Sequence, residues 1–243
     1  MSNHYAKAPI NEATIDFRVS PPDEITFESL VPFKKNLTKS FPIQEDFTIN
    51  TAHLVLDKDS ASSEFKSQHK GFRLLSEDKR QVLVVTTAGF TFSHMHPYDE
   101  WETFRKEARV LWNSYKKACK PSQINRIGIR YINRLDLPLS RLNAYLLLHP
   151  TVPPIPNRAA LGFFMQLQIP QPDIDGILII NEAKVDAPNP DTLSILLDID
   201  IFREYSWDIN HDDEAWDFLE KLRERKNEVF EASITQKTRE LIS

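Results

Sequence analysis

Residues 11–19, NEATIDFRV, alternate without a break: Ala13, Ile15, Phe17 and Val19 fall on one side, Glu12, Thr14, Asp16 and Arg18 on the other. A period of two with one apolar side predicts a half-buried β-strand. After the turn-like SPPDE, the spacing of Ile25, Leu30, Phe33 and Leu37 predicts a helix over 25–41, entered through Pro21 and Pro22. Strand-like runs follow at 47–56, 71–75 and 81–92, and then the most regular element, a helix over 98–120. Its Trp101, Phe104, Ala108, Leu111, Trp112, Tyr115 and Cys119 keep to one stripe. Such a helix packs on an apolar surface, and Cys119 reads as a buried structural thiol.

The second half runs through the same order: a strand over 124–137, a short helix over 139–148, strands over 161–169, 176–185 and 193–202, and a long helix over 212–242. The two closing helices even open alike, with DEWETF at 99–104 and DEAWDF at 213–218. Strand, helix, three strands, helix, twice over, predicts a tandem duplication, with repeats at 1–120 and 121–243. Either half alone would leave a sheet with a bare apolar face. The halves are therefore expected to join as one domain spanning 1–243, an α+β fold with one antiparallel sheet and helices on one face. The proline-rich HPTVPPIPN at 149–157 lies inside the second half and reads as a surface connection rather than a domain linker.

Composition narrows the function classes. With 41% hydrophobic and 27% charged residues, no apolar run long enough to span a bilayer and no basic-then-apolar leader, a cytoplasmic protein outside the membrane is expected. A single cysteine excludes an intramolecular disulfide and a multi-cysteine zinc site. The net charge of -5 argues against nucleic acid as a partner, because phosphate neutralisation needs a basic docking face. Only 5 glycines stand beside 16 prolines, and no G-x-G-x-x-G, G-x-x-x-x-G-K-[ST], G-x-S-x-G or H-E-x-x-H pattern occurs. No cofactor is expected.

Candidate chemistry lies on the sheet face away from the helices. In INRIGIRYINRL, 124–135, alternation puts Arg126, Arg130 and Arg134 on one face with Gly128 and Ile132 between them, while Ile127, Ile129 and Tyr131 point the other way. The three guanidiniums span about 26 Å at roughly 3.3 Å per residue. Arginine forks suit carboxylates and phosphates, so an anionic small molecule or a protein partner is the functional reading. The competing structural reading pairs the arginines across strands with Glu12 and Asp16. Gln166 and Gln168 of FFMQLQI and Asp198 and Asp200 of ILLDIDIF add to the same polar face. The candidate ligand-binding set is Arg126, Arg130, Arg134, Asp16, Gln166 and Asp198. A non-enzymatic binding or regulatory module follows, with an enzyme using carboxylate or metal chemistry on that face as the alternative. His94 and His96 in FTFSHMHPYDEW share a face only if the strand reaches them, and zinc would need a third ligand that is not near in sequence. A strand end and a helix start, with Pro97 at the first helical position, explain the stretch without a metal.

APINEATIDFRV, GFRLLSEDKRQVLVV, PYDEWETFRKEARVLWNSY and above all RIGIRYINRLDLP resemble a sporadically distributed family of uncharacterised bacterial proteins of about this length. The resemblance covers nearly the whole chain and implies a bacterial cytoplasmic protein without implying an activity. In that family the positions of His94 and His96 are usually other residues. The element order also resembles the TATA-binding-protein-like and helix-grip folds, an analogy of shape only. Triphosphate tunnel enzymes of similar shape carry an E-x-E-x-K strand, and the matching strand here reads EATIDF, which argues against triphosphate hydrolysis.

Overall fold

The structure, a computed structural model, describes residues 5–57, 60–151 and 161–243, the side chains of 49–57 and 60–69 excepted. Nine strands form one antiparallel sheet: β1 Ile10–Ser20, β2 Ile43–Asp57, β3 Ser60–Leu75, β4 Gln81–Thr86, β5 Gly89–Met95, β6 Gln123–Pro138, β7 Phe164–Gln171, β8 Gly176–Val185 and β9 Thr192–Asp208. The described helices are α1 Val31–Asn36, α2 Trp101–Cys119, α3 Asp213–Ser233 and α4 Gln236–Ile242. The chain is thus α+β, and none of these helices is long and apolar enough to cross a membrane.

The strand order is β2-β3-β4-β5-β1-β6-β9-β8-β7. The first strand of each half therefore meets the other at the centre, with Ile15 opposite Ile129 and Phe17 opposite Ile127. Outward from this pair lie β5, β4 and β3 on one side and β9, β8 and β7 on the other, so the halves are laid out alike, with β2 an additional edge strand in the first.

Period-two alternation decides which face is buried. Ile15 and Phe17 of β1, Phe90 and Phe92 of β5, Ile127 and Ile129 of β6, and Ile195 to Ile201 at every second position of β9 are all at most 1% exposed. Helices cover this side. Phe17 stacks on Trp112 of α2 at 4.6 Å and on Trp216 of α3 at 5.1 Å, so both long helices sit on one face and meet over β1. Asp212 joins them from the start of α3. It accepts from Trp112 Nε1 at 2.6 Å and pairs with Lys116 at 2.6 Å and Arg109 at 3.0 Å, all on α2. Cys119 is buried, its Sγ donating to the Thr87 carbonyl at 2.9 Å, and burial pushes the thiol up from its ordinary value.

Several expected elements differ. The run 81–92 is two strands, not one, because the chain reverses at Thr87 and Ala88; the Ala88 amide donates to Thr86 Oγ1 at 3.2 Å. The first half thus carries four strands after its helix where three were expected. No Asn-Gly or Asp-Gly pair marks this turn. The helix over 25–41 shrinks to a 3-10 turn, Phe27–Leu30, followed by α1. In place of the helix over 139–148 there is one 3-10 turn, Leu142–Ala144. The long closing helix breaks at Ile234, whose extended backbone bridges to Leu146, while Leu147 donates to the Ser233 carbonyl and Thr235 to that of Tyr145. Pairing with that neighbouring segment supplies hydrogen bonds that continued helix would otherwise make. From residue 152 on, the proline-rich loop expected at 149–157 lies outside the described residues.

Candidate functional site

The sheet face opposite the helices carries the arginine row. Arg130 is forked onto Asp198, Nε to Oδ1 at 2.8 Å and Nη2 to Oδ2 at 2.7 Å, and this partner raises its already high pKa. Asn181 donates to the same carboxylate at 2.9 Å, and Gln166 to Asn181 at 2.7 Å. Arg126 pairs with Asp16, which also accepts from Thr91 at 2.9 Å, and lies over the Phe202 ring at 4.1 Å. Gly128 makes room: a Cβ there would stand 3.0 Å from that of Phe202. Asp200 lies 3.8 Å from Arg126; burial raises its pKa against the opposing pull of Arg126 and Arg130. Arg134 stands apart, donating to Asp136 at 3.1 Å and to the Asp186 carbonyl at 2.9 Å. Glu12 accepts from Thr14 rather than from an arginine.

Thus Arg126, Arg130, Asp16, Gln166 and Asp198 are brought together, but as a ladder of cross-strand pairs in which each guanidinium meets a carboxylate of its own chain. The carboxylate of Asp198 is 8% exposed while Arg130 is half exposed. Arg130→Ala should therefore destabilise by about 1–2 kcal/mol, since a buried acceptor loses its charged donor but keeps Asn181. A denaturant midpoint unchanged from wild type would show that the pair contributes nothing.

The histidines do not converge. His94 closes β5 on the helix side, its Nε2 2.8 Å from Glu107. His96 lies beyond the strand, exposed, with Nδ1 3.2 Å from the Ile10 carbonyl. Among the described residues no group of three or more His, Cys, Asp or Glu is placed to hold a metal ion.

The helix side holds a cleft of about 450 Å³ where residues 5–10, the turn 96–102 and α3 close over β6. Its floor is Tyr131 and Asn133. Tyr131 faces the helices for the same reason as Ile127 and Ile129, the period of the strand. Its hydroxyl lies 3.1 Å from that of Tyr98, and burial holds Tyr98 up at about 12 and Tyr131 well above its ordinary value, so both phenols are neutral.

Lys226 reaches this floor from α3, its Nζ 3.7 Å from the Tyr131 ring centroid. The residue is 9% exposed, and among the described residues its ammonium has no carboxylate or carbonyl partner. Burial, with a smaller push from Arg223, lowers it to about 7. One turn earlier Arg223 lines the same cleft, 5.6 Å over Trp101 and 3.5 Å from Glu220. Glu231, also on the wall, already accepts from Tyr5 at 2.7 Å and Arg239 at 2.8 Å.

Sequence reasoning did not single out Lys226, although a signal was present. Leu219, Leu222, Lys226 and Phe230 follow helical spacing, so a lysine occupies a place in an apolar stripe. Glu182 carries the same signal in a strand, in register behind Leu178 and Ile180 on the buried face of β8. It is fully buried with neither oxygen hydrogen-bonded, and burial pushes it up to about 7.

Comparison with known proteins finds no family model that matches this chain, and no curated protein matches it.

Proposed function

We propose that the protein is a binding module for a small anionic molecule, and that this ligand enters the helix-side cleft and pairs with Lys226. One observation carries the reading: a lysine nine-tenths buried at the foot of an open cleft, its ammonium without an acceptor among the described residues. Such a charge is costly unless paired, and burial favours loss of its proton near neutrality. A carboxylate or phosphate supplies the missing partner, with Arg223 as a second cation on the wall. The pairing of the sheet-face arginines within the chain supports the cleft over that face as the anion site. The matching layout of the two halves supports a tandem duplication, in which Lys226 belongs to the second repeat alone: aligning the openings DEWETF and DEAWDF sets Trp112 of α2 opposite Lys226.

The test is thermal unfolding with succinate, citrate or inorganic phosphate. A ligand at about 100 times its dissociation constant stabilises by roughly 2.7 kcal/mol, a rise in Tm of about 5–10 °C for a chain of this size. Lys226→Met should abolish that rise while Arg130→Ala keeps it. A rise that survives in Lys226→Met and vanishes in Arg130→Ala would return the site to the sheet face. Because pairing restores the proton that burial removes, binding near neutral pH is also expected to take up protons, so calorimetric heats should differ between buffers of different ionisation enthalpy.

A further inference from the structure

We propose that Lys226 condenses with the carbonyl group of a small aldehyde acid or 2-oxo acid held in the cleft, so that the protein carries this ligand as an imine. The inference rests on the cleft being the ligand site and adds the chemical class of the ligand.

Four features of the cleft meet the needs of the reaction. An amine must be neutral to attack, and burial beside Arg223 favours the neutral form. The product iminium is a cation, and Nζ already sits 3.7 Å from the centroid of the Tyr131 ring, whose face stabilises a positive charge. The carboxylate on the carbon next to the imine is oriented by a second cation. Arg223, three residues before Lys226 on the same helix and lining the same cleft, provides it. Finally, the Tyr98 and Tyr131 hydroxyls, 3.1 Å apart at the same floor, stay neutral and so are hydrogen-bond donors. The Lys226 nitrogen lone pair forms the C–N bond as the carbonyl π pair moves to oxygen, and the proton lost by nitrogen is taken up by that oxygen. A second proton, delivered from solvent at the mouth of the cleft, converts the hydroxyl to departing water, leaving the iminium; addition of water reverses the sequence and returns that proton. No oxidant or reductant takes part.

The experiment treats the full chain with glyoxylate and sodium cyanoborohydride near neutral pH, then maps the modified lysines by mass spectrometry. The expected result is a carboxymethyl group on Lys226 ahead of every other lysine, slowed by lactate, which has the carboxylate without the carbonyl. Lys226→Arg, which keeps the charge, should lose this fast labelling. Labelling confined to other lysines, or total labelling unchanged in Lys226→Arg, overturns the proposal. If lactate raises Tm through Lys226 but glyoxylate is not trapped there, the imine falls and the anion cleft stands. If glyoxylate is trapped on Lys226 while carboxylates without a carbonyl leave Tm unchanged, the imine stands and the simple anion reading falls.

Discussion

Asp212→Ala is expected to lower stability by about 3–5 kcal/mol, the usual cost of removing one member of a buried charged cluster. For a chain of this length that is a fall in Tm of roughly 6–20 °C. Asp212 is 4% exposed and is the acceptor shared by Trp112, Lys116 and Arg109. Its loss strands Lys116 and an indole N–H where α2 and α3 meet over Phe17, while Arg109 keeps Asp213. Desolvation by burial works against the Asp212 carboxylate, but the bonds from Lys116 and Trp112 and the charge of Arg109 more than offset it, so its pKa lies below the ordinary value of 3.8. A depressed folded pKa means stability present above the unfolded value and lost as pH falls through the folded one. The gap between wild type and variant should therefore be full at neutral pH and shrink below about pH 4. Calorimetric melts over that range decide it; a variant melting within a degree or two of wild type at neutral pH would show the cluster to be dispensable.

Glu182→Met is expected to move stability the other way. Glu182 is fully buried on the helix side of β8, opposite Leu197, with neither oxygen hydrogen-bonded. Burial raises it from 4.5 to about 7, so the folded chain holds a proton that the unfolded chain releases. The stability this proton preserves is complete below the unfolded value and is lost as pH rises to the folded one. Methionine, of similar reach and without charge, should gain about 2–3 kcal/mol above pH 7 and a smaller amount near pH 4, where the wild-type carboxyl is mostly neutral in both states. A gain of equal size at both pH values would show that packing rather than ionisation sets the difference.

These two acids also show what the chain makes legible. The strands with clean alternation, β1 and β6, are visible from residue order alone, and so is the amphipathic α2, because period and burial coincide there. Period does not see turns made without glycine pairs, hence the fused reading of β4 and β5. It does not see competition for hydrogen bonds from distant segments either, which is why the closing helix breaks at Ile234 and the helix expected over 139–148 is reduced to one turn. The arginines are visible as a row, but Asp198, the partner of Arg130, lies on another strand, and only the register of β6 and β9 brings the two together. Lys226 and Glu182 break the periods they sit in. Attention to where charges lie on exposed faces passes over charges that lie on buried ones.

The central pairing of β1 with β6 also shapes how the chain comes to be folded. During synthesis β2 to β5 can assemble on one side of β1, and α2 can settle on them, while the other side of β1 waits for residues that follow α2. Until β6 arrives, the nascent half presents an open row of backbone donors and acceptors at the middle of the future sheet, the position from which strands of two chains could pair by mistake. Contacts such as Ile15 with Ile129 are remote in sequence, so closure is expected to be slow for a chain of this size. The first half made alone would then be the form of the protein most prone to self-association.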